Sequence, residues 1–434
     1  MSGIPAVLPS VFTDRLVAAL GCRINLMIQL ELRFARRLDE ERLVRALDRL
    51  LDAEPVLGCR FVETDEGAHW ERLAPAERSC FERARTQADY DAFVARPAAP
   101  HRGPQVVACL WSADDGDRLA LKVAHEVADA GGTKDIAARL SAIYERLRSE
   151  PGFRPAPNVD GERDHAQVLR RVPSRDRPGL WLRWAREIRR YLVPRGSLRP
   201  PMPEGPVGRI GFVCRELDAA LIGPLAAWGR ARGATLNDIV LAGFFRSLVA
   251  LADWDCRTPL RCTVTVDVRR HLPMGRAGGI ANLSALEFFR LPLPLGDDFA
   301  ETVDRVANET RRLKSKWAGL NAYAALLPVV RPLSHARLKR TVKSLIDGWV
   351  RDRHFPPGLT NMGPLDPGRL YFDGFPDHAR LLVPPIHPPG LGVGLSGYRG
   401  ALTLSAGVYP ETGGDQVAAK FLDGIVAELA AALR

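Results

Sequence analysis

Cysteine is scarce in this chain. The seven residues, Cys22, Cys59, Cys80, Cys109, Cys214, Cys256 and Cys262, are scattered and odd in number. None forms a Cys-x-x-Cys pair, which argues against a zinc or dithiol centre and leaves reduced thiols in the cytoplasm as the expectation. Long apolar runs are also missing. The longest, IVLAGFF at residues 239–245, falls far short of the about 20 residues that a membrane span requires. The opening MSGIPAVLPSVFTDRL lacks a basic start followed by an apolar core, so no secretory signal is expected. Zinc-finger spacing and the stacking-aromatic motif of RNA-binding sheets are both absent, which removes the common nucleic-acid modules.

What the chain has in excess is arginine. The formal net charge is +10, and residues 170–199 hold ten arginines against only Asp176 and Glu187. With no nucleic-acid module beside it, this charge points to phosphate-bearing ligands or acidic partner proteins. At 434 residues and 46% hydrophobic, the chain suits two domains or one large bilobed unit.

Periodicity supplies the elements. INLMIQLELRF alternates as a half-buried strand, and Asp39 then caps a helix carrying Leu43, Ala46, Leu47, Leu50 and Leu51. VLGCRFVE and AHWERL read as short strands, and PQVVACLW with RLALKVA as a hairpin ending at Ala124. A helix with Ile136, Leu140, Ile143, Tyr144 and Leu147 on one face follows. From about 150 to 206 the chain is rich in proline and glycine. It holds one basic helix, with Trp181, Trp184, Ile188 and Tyr191 on one side and arginines on the other. Such a helix suits either a linker docked on the body or a membrane surface. In the second half, Thr235 and Asp238 make a capping box ahead of IVLAGFFRSLVALA. Strands RIGFVCREL, LRCTVTVDVRR and NLSALEFFRLPLP and further helices then alternate. The expected units are residues 1–165, a linker at 166–206, and 207–434.

Between the hairpin and the next helix lies LALKVAHEVADAGGTKD, with His125 four residues ahead of Asp129. With nine histidines in the chain, that spacing arises readily by coincidence. Its context counts for more, because a loop leaving a strand end on a rigid scaffold is where catalytic groups tend to sit.

The order of these pieces resembles the condensation-domain and chloramphenicol-acetyltransferase-like superfamily over roughly residues 20–430. The resemblance rests on DEERLVRALDRLLDAEPVLGCRF, on the strand running into His-x-x-x-Asp, and on ATLNDIVLAGFFRSL. It also rests on TVTVDVRRHLP followed by GGIANLSALEFFRLPLP, and on LTNMGPLD. The wax-ester-synthase, alcohol acetyltransferase and polyketide-associated branch is nearest in pattern. Ala124 stands where a first histidine is usual, and Ala130 where a glycine follows the aspartate, with Gly131 and Gly132 displaced by one. In LGCRF, Gly58 stands where the peptide condensation domains usually have an arginine. The Asp-Phe-Gly-Trp-Gly motif of the plant-type acyltransferases is missing, and no carrier-protein or adenylation segment accompanies the chain.

The resemblance implies an α/β (α+β) fold: two chloramphenicol-acetyltransferase-like lobes, each a mixed, mostly antiparallel sheet with flanking helices, forming a V around a cleft. It implies a stand-alone acyltransferase that moves an acyl group from acyl-CoA or an acidic acyl carrier protein to a hydroxyl or amine on a small molecule. His125 would be the general base, with no metal and no bound cofactor. Asp129 would be architectural, paired with Arg269 or its rival Arg270. Asn282, Ser284, Thr360, Asn361 and Gly363 match positions that line the cleft, with Asn361 the first oxyanion candidate; His387 reads as a loop tip. A monomer is expected. Two alternatives stay open: a free-standing peptide-type condensation enzyme forming an amide, and a non-catalytic docking relative. Peripheral membrane contact through the basic helix is a further possibility for the enzyme.

Overall fold

Hydrophobic periodicity sets most of the architecture of the computed structural model. It describes residues 3–192, 196–314, 317–320, 323, 327, 330–352 and 355–434, and only the backbone of 187–192. The first half carries β1 (Val7–Pro9), α1 (Phe12–Leu20), β2 (Met27–Phe34), α2 (Glu40–Ala53), β3 (Cys59–Glu63) and β4 (Ala68–Arg72). It continues with β5 (Phe81–Ala84), α3 (Gln87–Ala95), β6 (Val106–Ala113), β7 (Gly116–Ala124) and α4 (Ala130–Ser149). The connecting region holds α5 (Ala166–Leu169) and α6 (Arg177–Leu192). The second half begins with β8 (Gly211–Leu217), α7 (Ala219–Ala231), α8 (Leu236–Leu251), β9 (Leu260–Asp267), β10 (Ser284–Leu291) and α9 (Phe299–Leu313). It ends with α10 (His335–Arg351), β11 (Gly358–Pro364), β12 (His378–Leu382), β13 (Gly392–Tyr398), β14 (Ala401–Val408) and α11 (Gly414–Ala431).

Two principal sheets result, one in each lobe. The first has the order β12-β2-β7-β6-β5 and the second β10-β9-β11-β13-β14-β8, with a small sheet β1-β4-β3 beside the first. Pairing is antiparallel except for β5 with β6, β9 with β11, and β11 with β13. β12 comes from the second half of the chain yet pairs with β2 of the first, Leu381 opposite Leu30. Arg380 on β12 also makes an ion pair with Glu31 at 2.6 Å.

Each sheet is covered by helices whose apolar stripe the sequence shows. Leu43, Leu47 and Leu50 of α2 and Ile136 and Leu140 of α4 bury against Leu30, Leu32 and Phe34 of β2. A fully buried side chain of this size contributes about 1.5–3 kcal/mol. In the second lobe Phe244, Phe245 and Leu248 of α8 meet Phe421, Leu422 and Ile425 of α11. Asp39 and Thr235 cap their helices, accepting from the Arg42 and Asp238 N–H groups. Two expectations need correcting. VLGCRFVE is a strand only from Cys59, because residues 55–58 form a 3-10 turn opened by Pro55. On α6, Leu180 is the buried anchor and Trp181 is 42% exposed, so Trp181 lies outside the packed face. The side chains of Ile188, Tyr191, Arg189, Arg190 and Arg195 lie outside the described residues.

Among the described residues no single helix is long and apolar enough to cross a membrane. α7 and α8 together have the composition but meet at 98°, and most of α8 is buried in the lobe.

Candidate active site

His125 is the first residue past β7. Its N–H donates to the Leu26 carbonyl at 3.0 Å, which fixes the strand end against the approach to β2. The half-buried imidazole meets Asn282, a residue 157 positions later, with Nδ1 and Oδ1 3.2 Å apart. Asn282 Nδ2 donates to the carbonyls of His125 at 2.8 Å and Glu126 at 2.9 Å. Two carbonyls occupy the two amide N–H groups, so the side chain has to present Oδ1 to the ring. Nδ1 must then carry the proton, and Nε2 keeps its lone pair. Burial also lowers the His125 pKa below the ordinary 6.5, against the smaller pull of Asp129 and its hydrogen bonds. The imidazole is therefore neutral and basic at physiological pH.

Asp129 holds the loop through bonds to Gly132, Leu283 and Arg269. One oxygen caps α4, accepting from the Gly132 N–H at 2.8 Å. The other accepts from the Leu283 N–H at 2.7 Å and Arg269 Nη1 at 2.9 Å. Arg269 also donates to the Ala281 carbonyl and reaches Asp267, while Arg270 is exposed. Burial alone would raise the Asp129 pKa, but the Arg269 charge and these hydrogen bonds overrule it and hold the carboxyl at about 2. A buried carboxylate is thus paired to an arginine from the other half of the chain.

The displaced glycines explain how the arginine gets so close. A β-carbon on Gly131 would collide with the Arg269 guanidinium, and one on Gly132 would stand 2.9 Å from the Ala281 oxygen. Ala130, the departure in the motif, begins α4 and leaves both close approaches intact. Gly131→Ala is expected to cost about 1–3 kcal/mol of stability through this overpacking. Urea denaturation checks it, and an unchanged midpoint would mean that the guanidinium moves aside freely.

The remaining cleft candidates are arranged differently. Ser284 starts β10, and its carbonyl accepts from the Tyr323 hydroxyl at 3.1 Å. Thr360, Asn361 and Gly363 lie on β11. Asn361 spends one N–H on Asn237 and accepts from the Gly363 N–H. Lys134 of α4 reaches the same strand, donating to the Met362 carbonyl at 2.8 Å. His387 is no bare loop tip: it is half-buried, in ring contact with Tyr409, and lines a cavity.

Glu126 is what sequence reasoning missed. A glutamate in a loop reads as solvated, yet this one is 2% exposed and burial pushes its pKa up to about 8. The available signal was its setting, a carboxylate flanked on both sides by small apolar residues, Val123 and Ala124 before the histidine and Val127 and Ala128 after it.

No family model matches the chain, and no curated protein matches it. Solved structures do. The first condensation domain of the calcium-dependent antibiotic synthetase, in complex with a substrate analogue, is 18% identical, with 99% of this chain and 96% of that one covered and a TM-score of 0.71. TRI3 trichothecene 15-O-acetyltransferase from Fusarium sporotrichioides is 14% identical, covering 99% and 95%, with a TM-score of 0.70. Polyketide synthase associated protein 5 from Mycobacterium tuberculosis is 16% identical, covering 97% of each, with a TM-score of 0.60. At these identities the likeness speaks for architecture, and over nearly its whole length the chain has the two-lobed fold shared by condensation domains and chloramphenicol-acetyltransferase-like acyltransferases.

Proposed function

We propose that the protein is an acyltransferase that moves an acyl group from a thioester to a hydroxyl or amine on a small molecule, with His125 as the general base. The observation that carries this reading is the Asn282 clamp, which leaves Nε2 of a neutral imidazole as the free base. An acceptor hydroxyl or amine must lose a proton as it attacks, and Nε2 takes it while the acceptor atom bonds to the thioester carbon. Collapse of that adduct breaks the carbon–sulfur bond, and the imidazolium returns the proton to the departing thiolate. No acyl-enzyme forms and no bound cofactor is needed. The N–H left on Asn361 is the candidate donor to the developing oxyanion. A basic chain suits either thioester carrier, the phosphates of CoA or an acidic carrier protein.

The test is free-thiol release by the purified protein from acyl-CoAs of graded length, then from acylated carrier proteins, with pooled alcohols and amines. Release that needs an acceptor supports the reading; silence with every donor removes it. The pH profile follows from the histidine. Its pKa is lowered, so the base stays unprotonated below pH 6.5 and is lost only as pH falls through that lower value. The acid limb of kcat/KM should therefore lie below 6.5, and a limb above it would assign the titration to another group.

A further inference from the structure

Beside the histidine loop opens a cavity of about 540 Å³, a size usual for small-molecule sites. Ala18, Ile24, Leu26 and Pro100 give it apolar wall, and Lys339, Arg340 and Lys343 of α10 line its other side. Glu126 lines it too, and its Oε2, buried, has no hydrogen-bond partner among the described residues. A buried oxygen left bare is costly, and a native structure retains one where a ligand or water completes it.

The charges around the cavity select the ligand. Burial first, then the nearby Glu63 and Asp14, raise the Glu126 pKa to about 8 against the pull of Lys339, so the carboxyl is uncharged at neutral pH. An uncharged carboxyl both donates and accepts, which matches a hydroxyl. Glu63 holds Lys339 at 2.9 Å and Asp347 holds Lys343, while Arg340 stands exposed with no ion pair among the described residues. The α10 side is thus positive and disfavours an ammonium ion. Asn282 donates to the backbone carbonyls of both His125 and Glu126, so one side chain fixes the base and the cavity wall together.

We infer that this cavity binds a hydroxylated organic anion, with Glu126 hydrogen-bonding the hydroxyl and Arg340 meeting the anionic group. As the seat of the acceptor, it rests on the acyl-transfer reading. His125 does not line the cavity, so the hydroxyl held by Glu126 is an anchor and the reacting group lies elsewhere on the molecule.

Calorimetry with matched straight-chain probes tests this: ω-hydroxy acids, ω-amino acids, the parent acids and neutral diols, short to medium in length. The wild type should bind a hydroxy acid about tenfold tighter than its parent acid, the size of one well-made buried hydrogen bond. Glu126→Gln, which still donates and accepts, should keep that preference, and Glu126→Leu should abolish it. Arg340→Gln should weaken every acid and leave the diols unchanged. Amino acids binding best, equal binding of hydroxy and parent acids, or no binding by any probe at millimolar concentration would each overturn the proposal. The readout needs no turnover. Binding without thiol release would sink acyl transfer and spare the site, and thiol release without Glu126-dependent binding would do the reverse.

Discussion

His125→Ala is expected to lower kcat/KM for thioester-dependent transfer by about 10²- to 10⁴-fold, the usual contribution of a positioned base. The fold should survive the change. Asn282 grips the loop through the main-chain carbonyls of residues 125 and 126, which alanine leaves in place. The bond from the residue 125 N–H to Leu26 also belongs to the backbone. What disappears is the imidazole and with it Nε2. Thermal unfolding run beside the kinetics separates the two effects, and a stable mutant with a steep loss of turnover is the expected pair of results. Most of the activity persisting in the alanine protein would place the proton transfer on another residue.

Much of this could be read from the sequence, and the illegible part has physical reasons. The stripes of α2 and α4 were plain because one face of each meets a sheet and the other meets water. β2 is half-buried as its alternation implies only over its second half, where Arg33 is exposed; at its start both sides are covered, and Gln29, on the polar face, is fully buried and donates to the Val94 carbonyl. α7 escaped notice because Gly223 and Pro224 sit inside it, residues that read as breakers although Asp218 caps the helix well. That ARLLVP would extend the first-half sheet was invisible, since pairing across some 350 residues leaves no local mark. The motif around His125 was visible as spacing, but the tautomer was not. Asn282 controls the proton from 157 positions away, and only folding makes it a neighbour. Glu126 was hidden for the opposite reason. Its sequence neighbours were apolar, but a charged residue in a loop is normally solvated, and composition says nothing of what packs over it.

The largest stability effect falls on the pair that joins the two halves. Asp129→Asn is expected to cost about 3–5 kcal/mol, the usual penalty for leaving one partner of a buried ion pair without its countercharge. Arg269 is 4% exposed and Asp129 is 2% exposed, so solvent does little to soften the loss. Asparagine keeps one oxygen for an N–H but cannot serve Gly132, Leu283 and Arg269 together, as the carboxylate does. Asp267 remains near the guanidinium at 3.3 Å, which places the cost toward the lower end. The pH dependence has a definite sign. With the folded pKa held at about 2, below the ordinary 3.8, the carboxylate stabilises the protein above about pH 4. That contribution drains away as pH falls toward 2. Denaturant titration of Asp129→Asn, of Arg269→Met and of the double mutant measures the coupling. The double mutant should be clearly more stable than the sum of the two losses predicts, because removing both charges leaves neither stranded. A normal denaturation midpoint for Asp129→Asn with turnover abolished would overturn the architectural role and move Asp129 into the chemistry.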